Sequence, residues 1–443
     1  MPRVARVVVI GGGYGGLAAS VRLAKLGHAV TLVESADAPG GALRPVEQDG
    51  FSWDASAHAT LLPAVLRDLF RKSGRPAERE LELEPLDVIR EHRFEDGSRV
   101  RLPGGSRAAQ LAAFDELRRG LGPQWVGHVE AFADDWEVLR KHYLESPWNP
   151  HALPRELAAR LDSREMLSRR IRRALKDPRL RLVAAHPFVA GGHHLRDVPA
   201  WAGLTAYLEQ RFGAWRVVGG TGQVAAALTA RLATRRVDTL TSTTAVDLVV
   251  RDGRAVAVST TAGELDVGDD GAVVCAVDPR RLPALHAFVE RTLPAIPPMV
   301  THVGLAGPLP DHLAGLPAEL VLHGDPTLVV RTLGRAPDDG AAWTIHAYGK
   351  LLEDVLLALA RHGIDVRDQV VTRVDLGAAE LVARWGGSPL GVQWAGRRTV
   401  RQRLGPRTPI PNVYAAGAHA TPGAGLPYVG LSAALVAQVI GPA

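Results

Sequence analysis

Apolar and polar positions at the start of the chain alternate between strand and helix periods. Val7-Val8-Val9-Ile10 is a β-branched run of the buried-strand kind, and Gly11-Gly12-Gly13-Tyr14-Gly15-Gly16 follows it directly. Leu17, Val21 and Ala24 then recur at helical spacing, and Gly27 can cap that helix. A second apolar strand, Ala29-Val30-Thr31-Leu32-Val33, ends at Glu34. Strand, glycine turn, helix, strand and acid in this order predict a dinucleotide-binding unit. Gly11 allows the tight turn and Gly13 lets backbone approach a pyrophosphate. Gly16 lets the helix pack closely on the strand, and Glu34 can accept hydrogen bonds from a ribose.

Beyond Glu34 the pattern changes. Pro39-Gly40-Gly41-Ala42 is a second glycine turn without a strand of its own, where a nicotinamide dehydrogenase would continue with further βαβ units. The chain instead enters Asp49-Gly50-Phe51-Ser52-Trp53-Asp54-Ala55-Ser56-Ala57-His58 and an amphipathic segment from Leu61 to Gly74. Strands are expected at Leu86 to Arg90 and Glu91 to Phe94, with Asp96-Gly97 turning into Val100-Arg101-Leu102. From about Pro103 to Trp215 the pattern is helical and carries Trp125, Trp136, Trp148, Trp201 and Trp215, which read either as core fillers or as the lining of an apolar cavity. Arg169, Arg170, Arg172, Arg173, Lys176, Arg179 and Arg181 form the densest basic run, beside a stripe of Leu167, Ile171 and Leu175. Two readings stand for it: a solvated helix packed on its own domain, or an interfacial helix resting on anionic lipid.

Sheet patterning returns near Val217, with a helix from Val224 to Leu232 and a hairpin of Leu248 to Val250 and Ala255 to Val258 around Asp252-Gly253. Ala272 to Val277 is another short buried strand. Alternating strands such as Leu320-Val321-Leu322 and Thr344-Ile345-His346 follow, then a helix from Leu351 to His362 closed by Gly363. Near the end, Val413-Tyr414-Ala415-Ala416 leads to Gly417, a glycine-rich loop and a helix starting near Leu431. A strand-to-helix turn at the carboxyl end of a sheet is where an α/β fold binds ligand. Both ends of the chain are therefore expected to serve one cofactor, with the intervening insert as a lid or cavity over it.

At 443 residues there is room for two or three domains. The net charge of +5 is dispersed along the chain and does not argue for nucleic acid. Cys275 is the single cysteine, which excludes an intramolecular disulfide, a cysteine-rich metal site and a C-x-x-C redox pair. Electrons must then be carried by a cofactor. The first strand begins close to Met1, leaving no room for a cleavable signal, and no apolar run is long enough to span a bilayer. A cytoplasmic protein is expected, with peripheral membrane contact through the Arg169–Arg181 region as the alternative.

Taken together, the blocks resemble the phytoene desaturase-like branch of the flavin amine oxidase superfamily. The resemblance rests on Gly11 to Glu34 with Gly40-Gly41, on Asp49-Gly50-Phe51 with Asp54, and on Gly219-Gly220. Trp385-Gly386-Gly387-Ser388-Pro389-Leu390-Gly391 and Pro411 to Gly430 complete it, with Pro422-Gly423-Ala424-Gly425-Leu426-Pro427 as the most specific piece. It implies an α/β fold: a Rossmann-like FAD-binding domain of the GR2 type with an inserted α+β substrate-binding domain. Residues 1–103, 215–290 and 401–443 would form the first, and 104–214 and 291–400 the second. It implies FAD held non-covalently, with Gly11, Gly13, Tyr14, Gly15 and Gly16 at the pyrophosphate and Glu34 at the adenosine ribose. Val246 would meet adenine through its backbone, and Gly41 and Arg44 would pass the ribityl and phosphate region. Gly417, Ala418, Gly425, Leu426 and Val429 would surround the isoalloxazine and pyrophosphate from the other side. Two departures stand out: this chain reads Ala57-His58 where carotenoid-desaturating members usually carry Gly-Pro or a similar pair, and it is shorter than they are, so its substrate domain is trimmed.

A flavin desaturase passes a hydride to the flavin and a proton to a base or water, so the protein supplies geometry, an apolar channel and one acid or base. His58 is the first candidate for that base, because its segment lies against the reactive side in the resembling family; the other reading is a hydrogen bond to FAD or a backbone carbonyl. His419 and Tyr428 flank the flavin loop and can orient substrate or serve structure, and Gln393 and Trp394 can wall the cavity. His193-His194 has no carboxylate or cysteine at ligand spacing, so no metal is expected there. The leading expectation is an FAD-dependent oxidoreductase that introduces a double bond into an apolar, isoprenoid or polyene, small molecule. Its electron acceptor, oxygen or quinone, stays open. The alternatives are an oxidase of amines or specialised metabolites, a non-redox isomerase, and a lipid-binding escort protein of the same fold that has lost the flavin.

Overall fold

A computed structural model describes residues 5–443. Its first layer is a five-stranded parallel sheet in the order Val413–Ala415, Ala272–Cys275, Arg6–Ile10, Ala29–Val33, Asp238–Leu240. These strands are apolar on both faces because both faces are covered, as a parallel sheet requires. Helices Tyr14–Lys25, Gly222–Thr234 and Leu426–Ile440 pack together on one face through Leu17, Val21, Leu228, Ala433 and Val436. The hairpin sheet of Ala245–Arg251, Arg254–Thr260 and Gly263–Asp266 covers the other face with Leu248 and Val258. Distant parts of the chain meet in this one sheet, so the two ends lie side by side.

The second layer is a seven-stranded sheet in the order Val370–Leu376, Met299–Leu305, Ala341–Tyr348, Thr327–Gly334, Glu319–Leu322, Val88–Arg93, Arg99–Pro103. Its neighbours are antiparallel except Glu319–Leu322 with Val88–Arg93. The hairpin of Val88–Arg93 and Arg99–Pro103 thus belongs to the inserted sheet, although residues up to 103 were expected in the dinucleotide-binding part. Val88–Arg93 is one strand where two, Leu86 to Arg90 and Glu91 to Phe94, are expected, and a local pattern does not say which sheet a hairpin joins. Side chains alternate across this sheet. Val303, Leu305, Leu320, Leu322, Leu328, Val330, Trp343 and Ile345 form an apolar face that packs with helix Val355–Arg361. The alternate positions include Arg90, His92, His302, Glu319, Arg331, Thr344 and His346, and many of these are buried despite their polarity.

Helices between Arg107 and Phe212 make a third body with one core. Trp125, Trp136, Trp148 and Trp201 are all buried in it, which favours the core-filler reading. Each such side chain, once buried, contributes on the order of 2–3 kcal/mol of transfer free energy. The basic run splits into two helices, Leu167–Ala174 and Pro178–Ala190. Leu167, Ile171 and Leu175 are at most 2% exposed within that core, so the stripe offers no apolar face to lipid. Several of its cations are neutralised locally: Arg170 pairs with Asp135 and Glu165, Arg173 with Glu165, and Arg179 with Asp177. The stripe is therefore core, as the packed-helix reading expects. Among the described residues, no helix is long and apolar enough to cross a membrane.

Two helix ends also differ from expectation. The last helix begins at Leu426 rather than near Leu431, because Pro427 in its first turn needs no amide partner. The helix expected from Leu351 starts at Val355, where the Asp354 carboxylate accepts from the Leu356 amide.

Candidate functional site

A cleft of about 560 Å³ opens at the carboxyl ends of the parallel strands. Glycines and alanines make much of its wall, beside the charged Glu34, Arg44, Asp278, Arg281 and Arg384. Helix Tyr14–Lys25 starts at Gly13 with no side-chain cap and no acid in its first turn, so its first amides lack an intrahelical partner at the mouth of the cleft. Gly11, Gly13, Tyr14 and Gly15 line the opening, but Gly16 does not. Gly16 serves packing, since a Cβ there would stand 1.8 Å from the Gly11 carbonyl oxygen. Gly15 marks where the chain ends meet: a Cβ on it would come within 2.7 Å of Gly417 Cα. Gly417, Ala418, Gly425, Leu426 and Val429 close the cleft from the C-terminal side.

Glu34 lines the cleft and its carboxylate accepts from the Gly12 amide at 2.6 Å and the Ala36 amide at 2.7 Å. It therefore braces the glycine turn as well as facing the opening. Gly41 and Arg44 line the cleft too, with the Arg44 guanidinium donating to Asp37 at 2.7 Å. Val246 is 49% exposed and lies outside the lining, where Thr243, Thr244 and Ala245 stand instead. Asp278, Arg281 and the run from Ala383 to Pro389 complete the wall. The glycine cradle, the uncapped helix start and the surrounding loops fit an elongated, phosphate-bearing dinucleotide.

His58 itself is not part of the cleft wall, although Ser56 and Ala57 just before it are. Its imidazole turns to the seven-stranded sheet, with Nε2 3.6 Å from Oε2 of Glu319. Burial, reinforced by the Arg331 charge, pushes its pKa down to about 3 against the opposing pull of Glu319. The ring is therefore neutral at physiological pH, and its surroundings resist a positive charge on it apart from the Glu319 carboxylate. His419 lines the cleft with Nε2 3.5 Å from Asp278, and burial lowers its pKa as well.

Gln393, Trp394 and Tyr428 are not brought to the cleft. Trp394 is buried against Trp201, with ring centroids 5.4 Å apart, and the Arg403 guanidinium stacks on it at 4.6 Å. Arg403 also donates to the carbonyls of Pro422 and Val392, tying the Gln393-Trp394 segment to the back of the glycine-rich loop. Tyr428 is held by burial with its pKa pushed up to about 12. The feature that sequence reading missed is the charged group around Glu319. Only strand register brings Arg90, Glu319 and Arg331 together, and no local motif signals it.

The family model for flavin containing amine oxidoreductases matches residues 14–304, from the glycine turn into the seven-stranded sheet. The chain belongs to the flavin containing amine oxidoreductase family. This flavin-dependent oxidoreductase is 31% identical over 271 residues to a phytoene desaturase (neurosporene-forming) of Cereibacter sphaeroides, a match covering 59% of this chain and 51% of that enzyme. It spans about half the length of that relative. It is 24% identical to a 4,4'-diapolycopene oxygenase of a Methylomonas species, with 98% of both chains covered. A hydroxyneurosporene desaturase of Rubrivivax gelatinosus is 27% identical, covering 99% of this chain and 93% of that one. Putrescine oxidase bound to putrescine superposes with a TM-score of 0.67 at 16% identity and 98% coverage of both chains. Cyclohexylamine oxidase from Brevibacterium oxydans gives 0.65 at 17% identity and 99% coverage of both, a likeness of fold. The oxidoreductase thus has the fold of amine oxidases and sequence relatives on the carotenoid desaturase branch.

Proposed function

We propose that this oxidoreductase holds FAD non-covalently in the cleft and introduces a double bond into an apolar polyene. One observation carries the reading: the uncapped helix start at Tyr14 and the C-terminal glycine loop converge on a single cleft, in a chain whose sequence relatives are named for acting on carotenoids. Non-covalent attachment is supported by Cys275, which is fully buried in its strand and outside the cleft wall.

Bound flavin supplies the acceptor for hydride from the substrate. The chain does the rest. First-turn amides at Tyr14 and Gly15 would meet the pyrophosphate charge, and Glu34 keeps the glycine turn in shape while offering its remaining lone pairs to a ribose hydroxyl. The loops of both chain ends exclude water from the reacting carbons. His58, which follows the wall residues Ser56 and Ala57, is the assigned acceptor of the substrate proton, with the Glu319 carboxylate opposing the burial that disfavours its charge. Oxygen or a quinone then reoxidises the enzyme.

The test is the visible spectrum of purified protein and the identity of the cofactor released on denaturation. Bands near ~370 and ~450 nm and free FAD are expected, with the longer-wavelength band bleaching when a polyene is added without oxygen. A colourless protein that cannot be reconstituted with FAD overturns the reading. Bleaching by amines but not by polyenes replaces the desaturase assignment with an amine oxidase one.

A further inference from the structure

Strand register lays a polar row across the inner face of the seven-stranded sheet. Glu319 pairs with Arg331, Arg331 with Thr344, and Thr344 with His302. Arg90 joins at the other end, on the strand that runs parallel to Glu319–Leu322. Arg90, His302, Glu319 and Thr344 are buried and Arg331 is partly buried. The Glu319 carboxylate is the centre of the row, with a side chain only 7% exposed. Arg90 Nε donates to its Oε1 at 3.2 Å and Arg331 Nε to its Oε2 at 3.1 Å. His186 approaches Oε1 at 3.5 Å from the helical body, and His58 approaches Oε2 at 3.6 Å from the segment that follows the wall residues Ser56 and Ala57. Arg90 is balanced in turn by Glu209, so two guanidiniums meet two carboxylates and the imidazoles add no charge.

The row also grips the strap that carries His58. Arg331 Nη1 donates to the Ser56 carbonyl at 2.6 Å. On the strap's other side, Asp54 accepts from the amide and hydroxyl of Thr221, and that hydroxyl reaches the Ala57 carbonyl at 3.0 Å. Residues 54–58 are therefore fastened both to the dinucleotide-binding body and to the sheet.

We infer that Glu319 is a positioning residue for His58: held by two arginines, its carboxylate faces Nε2, keeps the proton on that nitrogen, and leaves Nδ1 as the acceptor. This rests on the reading that His58 takes the substrate proton. In that step one substrate C–H bond breaks, its proton bonds to His58 Nδ1, and its electron pair becomes the new C=C π bond. The hydrogen on the adjacent carbon leaves as hydride, with its electron pair, to the bound flavin as oxidant. The imidazolium formed on His58 is then stabilised by the fixed carboxylate, the same logic by which a buried acid orients a catalytic histidine. A free carboxylate would have to reorganise at that moment, whereas this one is already in place.

The test is long-range proton–nitrogen NMR of the imidazole rings, recorded without substrate on the flavin-bound protein, with His58 assigned through His58→Gln. Wild type is expected to show His58 as one tautomer, protonated at Nε2. Glu319→Gln is expected to shift it to a mixture or to Nδ1–H, to lower kcat ~100-fold with KM nearly unchanged, and to keep full flavin content. Glu319→Asp, which preserves the charge, is expected to recover the tautomer and part of kcat. An unchanged His58 tautomer in Glu319→Gln overturns the inference, as does a loss of activity that follows loss of flavin. If the tautomer shifts as described but wild type turns over no polyene, the positioning role stands and the substrate reading falls.

Discussion

The cleft and the inner face of the seven-stranded sheet lie on opposite sides of the strap at residues 54–58, and they are made in opposite ways. The cleft is lined by glycines that allow close approach and by helix starts, with its charged side chains, Glu34, Arg44, Asp278, Arg281 and Arg384, spread around the wall. The sheet face is made of charged side chains, each neutralised by partners from different parts of the chain. A backbone cradle tolerates many ligands of one shape, because it recognises phosphate charge and length. A buried charged network tolerates almost nothing, because removing one partner strands the others without solvent. On the proposed reading, one region holds the cofactor and the other fixes the geometry beside it.

The sharpest way to break this contrast is Gly16→Val. Its side chain has no room beside the Gly11 carbonyl, so the strand–turn–helix unit must shift. A penalty of about 3 kcal/mol corresponds to a ~100-fold loss of flavin affinity, to be read from the cofactor retained on purification and from titration with FAD. The sheet face should survive, with the imidazole signals of His186 and His92 unchanged.

Arg331→Met attacks the other side. It leaves Glu319 with Arg90 alone, releases the Ser56 carbonyl, and is expected to cost about 3–5 kcal/mol in denaturant unfolding while the glycine cradle stays intact. A loss under about 1 kcal/mol would show that water reaches the row and that it is not a true buried network.

Acid should also separate the two regions. Burial lowers the pKa values of His58, His92, His186, His302, His323 and His346, so these rings are neutral in the folded protein but take up protons near 6.5 once unfolded. The stability they contribute is full above that pH and is lost as pH falls toward values such as about 3 for His58 and about 4 for His302. Glu319, whose pKa is also lowered, acts in the same direction below 4.5. Stability is therefore expected to decline from pH 6.5 downward, measured by chemical unfolding at a series of pH values, with less decline in His186→Phe. The smallest effect is expected from Arg173→Ala. Its side chain is 69% exposed in its pair with Glu165, so the change should cost less than about 1 kcal/mol and leave binding to anionic vesicles as it was.

The dinucleotide cradle was legible in the sequence because all its requirements are local. A buried strand, a glycine turn, a helix and a second strand must follow one another within a few dozen residues, and Gly11 to Glu34 does so. The C-terminal loop was legible for the same reason, as a strand ending at Gly417 before a glycine-rich turn. The basic run at Arg169–Arg181 was legible only as a pattern with two meanings. Its apolar stripe suits a core or a lipid surface equally, and which one it meets depends on what packs beside it. Val246 and Gly16 show a finer limit: a motif identifies the turn, but tertiary packing decides which residue of the turn faces the cleft.

By itself, then, the sequence determined the strand, glycine turn and helix at its start, the strand and glycine-rich loop near its end, and a single cysteine that has no partner for an intramolecular disulfide. Those features follow from backbone conformation and short-range periodicity, which each stretch carries regardless of the rest. Tertiary structure alone decided that Val88–Arg93 joins the inserted sheet, that Leu167, Ile171 and Leu175 are core, and that Arg90, Glu319 and Arg331 meet beside His58. These residues are separated by up to hundreds of positions, and a charge buried among them is stable only when register, layer packing and a second charge arrive together.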